Sequence, residues 1–406
     1  MAPIPRYRAR SGESFLADFL SAGFRPFFLF AALWAAFALP LAIAYLEAAA
    51  APPSRFDPPL WHAHEMVFGF GGAVVAGFLL TAIPNWTGRM PLQGAPLAGL
   101  VLLWLAGRAA VFFSADMPAG VAAALDLAFP FVFVLVVARE IVAGRNWRNL
   151  PMLAALTLLL VGNLLTHLEA MGVAATGALG ARMGVATLSM LVALIGGRIT
   201  PSFTRNWLVK TLPGAETPAP FDAVDRAALL STLVALAAFV AAPEFRGTAL
   251  LEIAAGVALF FRLARWRGAA TGPEPLLFIL HLGYGWLALG LLLMGANGLL
   301  GVAPPTAPLH ALTVGAIGTM TLAVMTRATR GHTGRPLTAD RRTVAIYVAI
   351  TLAAVLRIAA PLIAPIAAPL AGGAYLSALW LAGALWSAAY GFFVLFYFDM
   401  LTGPRA

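Results

Sequence analysis

The chain contains no cysteine. Disulfides, iron–sulfur clusters and thiolate metal sites are thereby excluded, and any metal must be held by His, Met or carboxylate. Charge is almost as scarce. Asp, Glu, Lys and Arg make up 11% of 406 residues, where a water-soluble domain carries about 25%. No Walker A loop, dinucleotide fingerprint, CxxCH motif or HExxH motif occurs, so any haem must be held non-covalently. The basic N-terminal stretch, residues 1–23, lacks the compact apolar core and small-residue cleavage site of a signal peptide. It is expected to stay at the cytoplasmic side, with Ser14 to Ala22 as a short interfacial helix.

What is abundant is hydrocarbon. Hydrophobic residues are 61% of the chain, and about twenty apolar residues in a row cross a bilayer as a helix. Twelve such stretches occur, at 24–47, 62–84, 96–114, 117–138, 149–170, 176–197, 223–243, 247–266, 275–297, 305–327, 343–366 and 372–398. The implied fold is all-α, a single polytopic bundle over residues 1–406 with lipid as its solvent. The net charge of +9 does not mark a nucleic-acid surface, because the basic residues recur in short segments between the apolar runs. With a cytoplasmic N-terminus, twenty-one Lys and Arg fall on the cytoplasmic side and two, Arg55 and Arg246, on the other. That bias places both termini in the cytoplasm.

An internal repeat links two of these spans. His, Gly, Gly and Thr-Gly-Arg occupy the same offsets in the second span (His64, Gly69, Gly72, Thr87, Gly88, Arg89) and in the tenth (His310, Gly315, Gly318, Thr333, Gly334, Arg335). The sixth ends in a weaker relative, Thr200 to Arg205, with Ala181 where the histidine would stand. Spans two, six and ten are four apart, which suggests three quasi-repeated four-helix units in parallel orientation.

Only six histidines are present: His62, His64, His167, His281, His310 and His332. At a rise of about 1.5 Å per residue, four of them, His62, His64, His167 and His310, come out at one depth, near the periplasmic face. Interfacial hydrogen bonding accounts for histidines singly. As a group they point to metal, since neutral imidazole is the strong ligand left to this chain for haem iron or copper. Gly69, Gly72, Gly315 and Gly318 fit either close helix contact or a flat cofactor lying against both helices. Arg108, Arg182 and Arg357 lie inside spans at comparable depth to Glu65, Asp126 and Glu169. They either pair with these carboxylates or bind anionic groups such as haem propionates. Thr-Gly-Arg at the end of each repeat has the form of a helix stop, with glycine for the C-terminal turn.

Several segments resemble the NnrS family along the whole chain: Phe24-Arg25-Pro26-Phe27-Phe28-Leu29, Trp61-His62-Ala63-His64-Glu65-Met66, Ala82-Ile83-Pro84-Asn85-Trp86-Thr87-Gly88, and Arg330-Gly331-His332-Thr333-Gly334-Arg335. The resemblance implies a haem- and copper-containing inner-membrane protein linked to denitrification and relief of nitrosative stress. Twelve helices in three groups of four are also similar to the catalytic subunit of haem–copper oxidases and nitric oxide reductases. There, histidines on helices two and ten ligate the low-spin haem. The metal ligands which that superfamily draws from helices six and seven have no histidine counterpart here.

The expected centre is therefore a b-type haem with His64 and His310 as axial ligands and Arg108, Arg182 and Arg357 as propionate partners. His62 and His167 are the candidates for a second metal, copper. The protein would bind or convert nitric oxide, with no nucleic-acid partner and an electron donor that the sequence does not identify. A twelve-helix transporter without metal and a metal-carrying assembly or sensor protein are the alternatives.

Overall fold

A computed structural model describes residues 14–367 and 373–406; the N-terminal stretch before Ser14 lies outside the described residues. Twelve helices are long and apolar enough to cross a membrane, and no strand occurs among the described residues. They are span 1 (Phe24–Leu46), span 2 (Pro58–Thr87), span 3 (Ala95–Phe112), span 4 (Ala119–Ala143), span 5 (Trp147–Ala170) and span 6 (Gly177–Thr211). There follow span 7 (Ala223–Ala241), span 8 (Arg246–Ala264), span 9 (Pro275–Leu300), span 10 (Thr306–His332), span 11 (Arg341–Leu362) and span 12 (Tyr375–Thr402). The chain is a multi-pass membrane protein. A short helix, Phe15–Phe19, capped by the Ser14 hydroxyl, stands where the interfacial helix is expected.

Local chemistry explains where spans begin. Asp57 accepts the Leu60 amide at 2.8 Å and starts span 2 one turn earlier than hydropathy suggests, with Pro58 in the first turn, where a missing N–H costs nothing. Asp222 and Asp225 form a reciprocal capping box on span 7. The helices also run past the expected ends, span 6 to Thr211 and span 10 to His332. Hydropathy marks where the chain leaves hydrocarbon, whereas the backbone bonds continue through the polar turn that follows. Pro84 and Pro201 stand inside their helices, as membrane helices allow. Gly88 closes span 2 with φ +70°, and Gly334 follows span 10 with φ +82°. These are left-handed conformations that any side chain would strain.

Spans 2, 6 and 10 share a departure from α geometry. Each contains a π-helical segment: Glu65–Gly71, Val192–Gly196 and Ala311–Gly318, respectively. A π turn inserts a residue and loosens the carbonyl ladder. In each case side chains take up carbonyls in or beside it. Trp104 Nε1 donates to Gly69 O at 3.0 Å. Arg262 donates to Ala193 O and Gly197 O, both at 3.2 Å. Thr321 and Tyr390 donate to Gly318 O at 2.9 and 3.2 Å.

The chain divides into two compact units. The first comprises the chain up to Gly184 with Met325–Leu337 and Phe393–Ala406. Arg25 of the Phe-Arg-Pro-Phe-Phe segment ties its C-terminal tail by donating to Leu401 O and Gly403 O at 3.1 and 2.6 Å. Arg330 donates to the Tyr397 hydroxyl in the same unit. The second comprises Val185–Val324 and Thr338–Phe392, organised around spans 8 and 9. Its fully buried Arg262 holds Asp225 at 2.7 Å and the Tyr284 hydroxyl at 2.6 Å.

Candidate functional site: a buried histidine–carboxylate cluster

Four spans of the first unit bring their polar residues to one point. Span 2 supplies His64 and Glu65, span 3 Arg108, span 4 Asp126, and span 5 Asn163 and His167, the last two one helical turn apart. None of the six is more than 4% exposed. Charges this deep persist only when paired, and here they are.

Asp126 is the hub. Its Oδ2 lies 3.1 Å from His64 Nε2 and 3.0 Å from His167 Nε2, and it accepts from Asn163 Nδ2 at 2.8 Å. Its Oδ1 accepts from Arg108 Nη2. Arg108 Nη1 donates to Glu65 Oε2 at 2.5 Å, and Trp34 Nε1 from span 1 donates to the same oxygen at 2.6 Å. Glu65 Oε1 in turn meets His64 Nδ1 at 3.0 Å. The guanidinium thus bridges two carboxylates that would otherwise repel each other.

The imidazoles are enclosed by rings. His64 has Phe56, Phe68 and His167 at centroid distances of 4.9, 5.6 and 5.4 Å. The cavity beside it, lined by Phe68, Gly72, Phe129 and Asn163 among others, measures about 20 Å³, room for about one water.

One donor atom from each of His64, Asp126 and His167 lies within 4.8 Å of the other two, a spacing that suits a metal ion. Two imidazoles and a carboxylate are a donor set for zinc, copper or iron. The outer shell fits as well. His64 Nε2 also lies 2.8 Å from Asn163 Oδ1, so a metal there would displace that contact, while Glu65 at Nδ1 would supply the carboxylate–histidine arrangement common around metals.

The other expected residues are placed as follows. His62 is half-buried and is not a member of that donor group. His310 belongs to the second unit, with Nδ1 on Thr306 O at 2.5 Å. Arg182 is half-buried in span 6. Arg357, also half-buried, carries a buried Nη1 with no hydrogen-bond partner. Of the glycines, Gly69 packs on the cluster itself: an added Cβ would stand 2.6 Å from Arg108 Nη1 and 2.8 Å from Glu65 Oε2. Gly315 and Gly318 pack on the indoles of Trp286 and Trp386. Gly72 alone of the four faces open space.

Pairing of Arg108 with buried carboxylates is one of the two alternatives drawn from the sequence. Glu169, at similar depth, instead accepts the Gly177 amide at 2.7 Å and closes the turn between spans 5 and 6. Asn163 and Trp34 carry no metal-ligand signature and are missed by sequence reasoning. The signal that would find Asn163 is a lone amide four residues before His167 in an otherwise apolar run.

The family model described as NnrS protein matches residues 18–405. No curated protein matches the chain.

Proposed function

Because the chain belongs to the NnrS family, a membrane protein of the nitric oxide response, we propose that it binds a first-row transition metal ion, copper or iron, at His64, Asp126 and His167. The observation that carries this reading is the convergence of three buried ligand atoms within 4.8 Å. When bound, such an ion supplies an open coordination position for a small diatomic ligand and one-electron redox capacity. The protein's own residues do the rest. Glu65 orients His64 through Nδ1, and Trp34 and Arg108 hold Glu65 in place. Arg108 offsets one of the two carboxylate charges, leaving the cluster with one net negative charge to attract a cation when the imidazoles are neutral. Phe56 and Phe68 exclude bulk water. The small cavity beside the cluster, walled by Phe68, Phe129 and Phe133, is apolar and suits a small uncharged molecule.

As an axial haem ligand His64 is a poor fit, since the adjoining cavity is far too small for a porphyrin. The haem reading rests instead on the second unit. His310 is held at Nδ1 by a backbone carbonyl, the usual setting of a haem imidazole, and Arg357 keeps a guanidinium nitrogen for an anionic group such as a propionate. Orientation follows the charge bias, with both termini cytoplasmic in a bacterial inner membrane.

Metal analysis and optical spectra of the purified protein test both readings. His64→Ala, Asp126→Asn and His167→Ala are each expected to lose one equivalent of copper or iron. His310→Ala should keep that equivalent and lose any Soret band. Full metal content in both Asp126→Asn and His167→Ala would reject the cluster as the centre.

A further inference from the structure

A cavity lies within the second unit. It occupies about 680 Å³ between the end of span 8, the 268–271 turn and the start of span 9. Such a volume accommodates a small organic molecule. Its walls are apolar: Leu263, Phe278, Leu282 and the bare backbone of Gly285. Phe278 is 43% exposed on a membrane-spanning helix, so one side of the cavity opens toward lipid.

One polar group stands in this wall. His281 is 5% exposed, and its Nδ1 is buried with no hydrogen-bond partner. The other nitrogen fixes what Nδ1 is. Thr204 Oγ1 donates its proton to Thr200 O at 2.9 Å, one turn back along span 6. Its remaining lone pairs accept at 2.8 Å from His281 Nε2, which therefore carries the ring proton. Nδ1 is left as a lone-pair acceptor in an apolar wall. Over it lies Gly268, where a Cβ would stand 2.7 Å from Nδ1. The cover is a short turn of small residues, Gly268, Ala269 and Ala270, and a donor that reaches Nδ1 has to displace it. Arg267 at the rim is already paired with Glu216 at 2.8 Å, so the cavity offers no unpaired cation to an anionic headgroup.

We infer that this cavity is a binding site for a lipid-soluble quinol, whose phenolic hydroxyl donates to His281 Nδ1 while its ring and tail lie along Leu263, Phe278 and Leu282. An acceptor selects the reduced form, because a quinone has carbonyls and no hydroxyl to give. Binding of the quinol is the whole of the proposal, and it does not rest on the metal cluster.

Anaerobic equilibrium binding of decyl-ubiquinol and decyl-ubiquinone to the full chain in lipid nanodiscs, against empty nanodiscs, tests it. The quinol is expected to bind saturably and about tenfold more tightly than the quinone, the size of one buried hydrogen bond. His281→Phe should remove that advantage while leaving the quinone unchanged. Gly268→Val, whose side chain would press on Nδ1, should weaken the quinol. Thr204→Val leaves the cavity walls intact and frees the imidazole to carry its proton on Nδ1, which should erase or invert the preference for the reduced form. Equal affinity of the two forms for the unmodified protein would mean an apolar groove that accepts any lipid tail. That result, unchanged quinol binding in His281→Phe, or no saturable binding would overturn the proposal.

Discussion

The turns after His64 and after His310 begin alike and end in different company. Both histidines stand immediately before a π-helical segment, both segments carry glycines at matching offsets, and both spans finish at a left-handed glycine. Yet His64 is fully buried with a carboxylate facing each ring nitrogen, whereas His310 is half-buried with Nδ1 on a carbonyl of its own helix. The indole or guanidinium beside the glycine differs too: Arg108 against Gly69, Trp286 against Gly315. A repeated motif thus carries backbone geometry from one place to another. It does not carry the side chains that neighbouring helices bring to it, and those decide the chemistry.

Charge is where the two turns differ most, and its removal should give the largest effect. Arg108→Ala leaves Glu65 and Asp126 buried without a cation, which costs about 3–5 kcal/mol. It is expected to lower the thermal midpoint in detergent severely or abolish recovery of folded protein. Next comes a direct contrast between the histidines. His64→Ala removes the partner of Glu65, Asp126 and Asn163, and a loss of about 2–3 kcal/mol is expected. His310→Ala should cost less, about 1 kcal/mol, because this side chain is only half-buried and sits near a helix end. Equal losses in parallel melts would show that the two turns are equivalent after all.

Within the first turn, the glycines offer a finer contrast. Gly69→Ala drives a methyl into the Arg108–Glu65 pair and should destabilise by about 1–3 kcal/mol. Gly72→Ala meets nothing and should be neutral, or stabilising by up to about 1 kcal/mol through helix propensity. The smallest effect is expected at an ion pair outside the membrane. Arg265 beside Asp222 holds its carboxyl down at about 2. The folded value lies below the ordinary one, so this contribution is complete above about pH 4 and is lost as pH falls toward 2. Asp222→Asn should flatten the melting temperature in that window only, and 0.5 M salt should mimic it in part, whereas the buried cluster should be indifferent to salt.

Much of this was legible in the residues, for reasons that differ by feature. The twelve spans declare themselves because hydrocarbon accepts little but apolar side chains, and Gly88 and Gly334 because left-handed backbone favours glycine. The far ends of spans 6 and 10 did not, since a helix continuing into water has no hydropathy signal. Of the site, His64, His167, Arg108, Asp126 and Glu65 stood out as ionisable groups in apolar runs. Asn163 and Trp34 did not, because an amide or indole in a membrane helix is unremarkable until its partner is known. Neither the joining of His64 to His167 through Asp126, nor the π turns, could be read from spacing, as both depend on which helices become neighbours.

Those π turns have a consequence for mutation by length. In an α-helix each residue advances the chain by about 100° around the axis. Deleting one residue from Glu65–Gly71 would let the backbone relax to regular α geometry at little cost in hydrogen bonds. Because a π turn advances each residue by less than an α turn, these seven residues cover about the same rotation as six α residues, so His64 and the helix beyond Gly71 would keep nearly their present facing while the residues between them changed partners. The turn works as a slack loop in the helix, taking up one extra residue without rotating the histidine against the packing beyond it. Length changes at this point should therefore disturb the Glu65 and Gly69 contacts with Arg108 first, and leave the packing of the following helix in place.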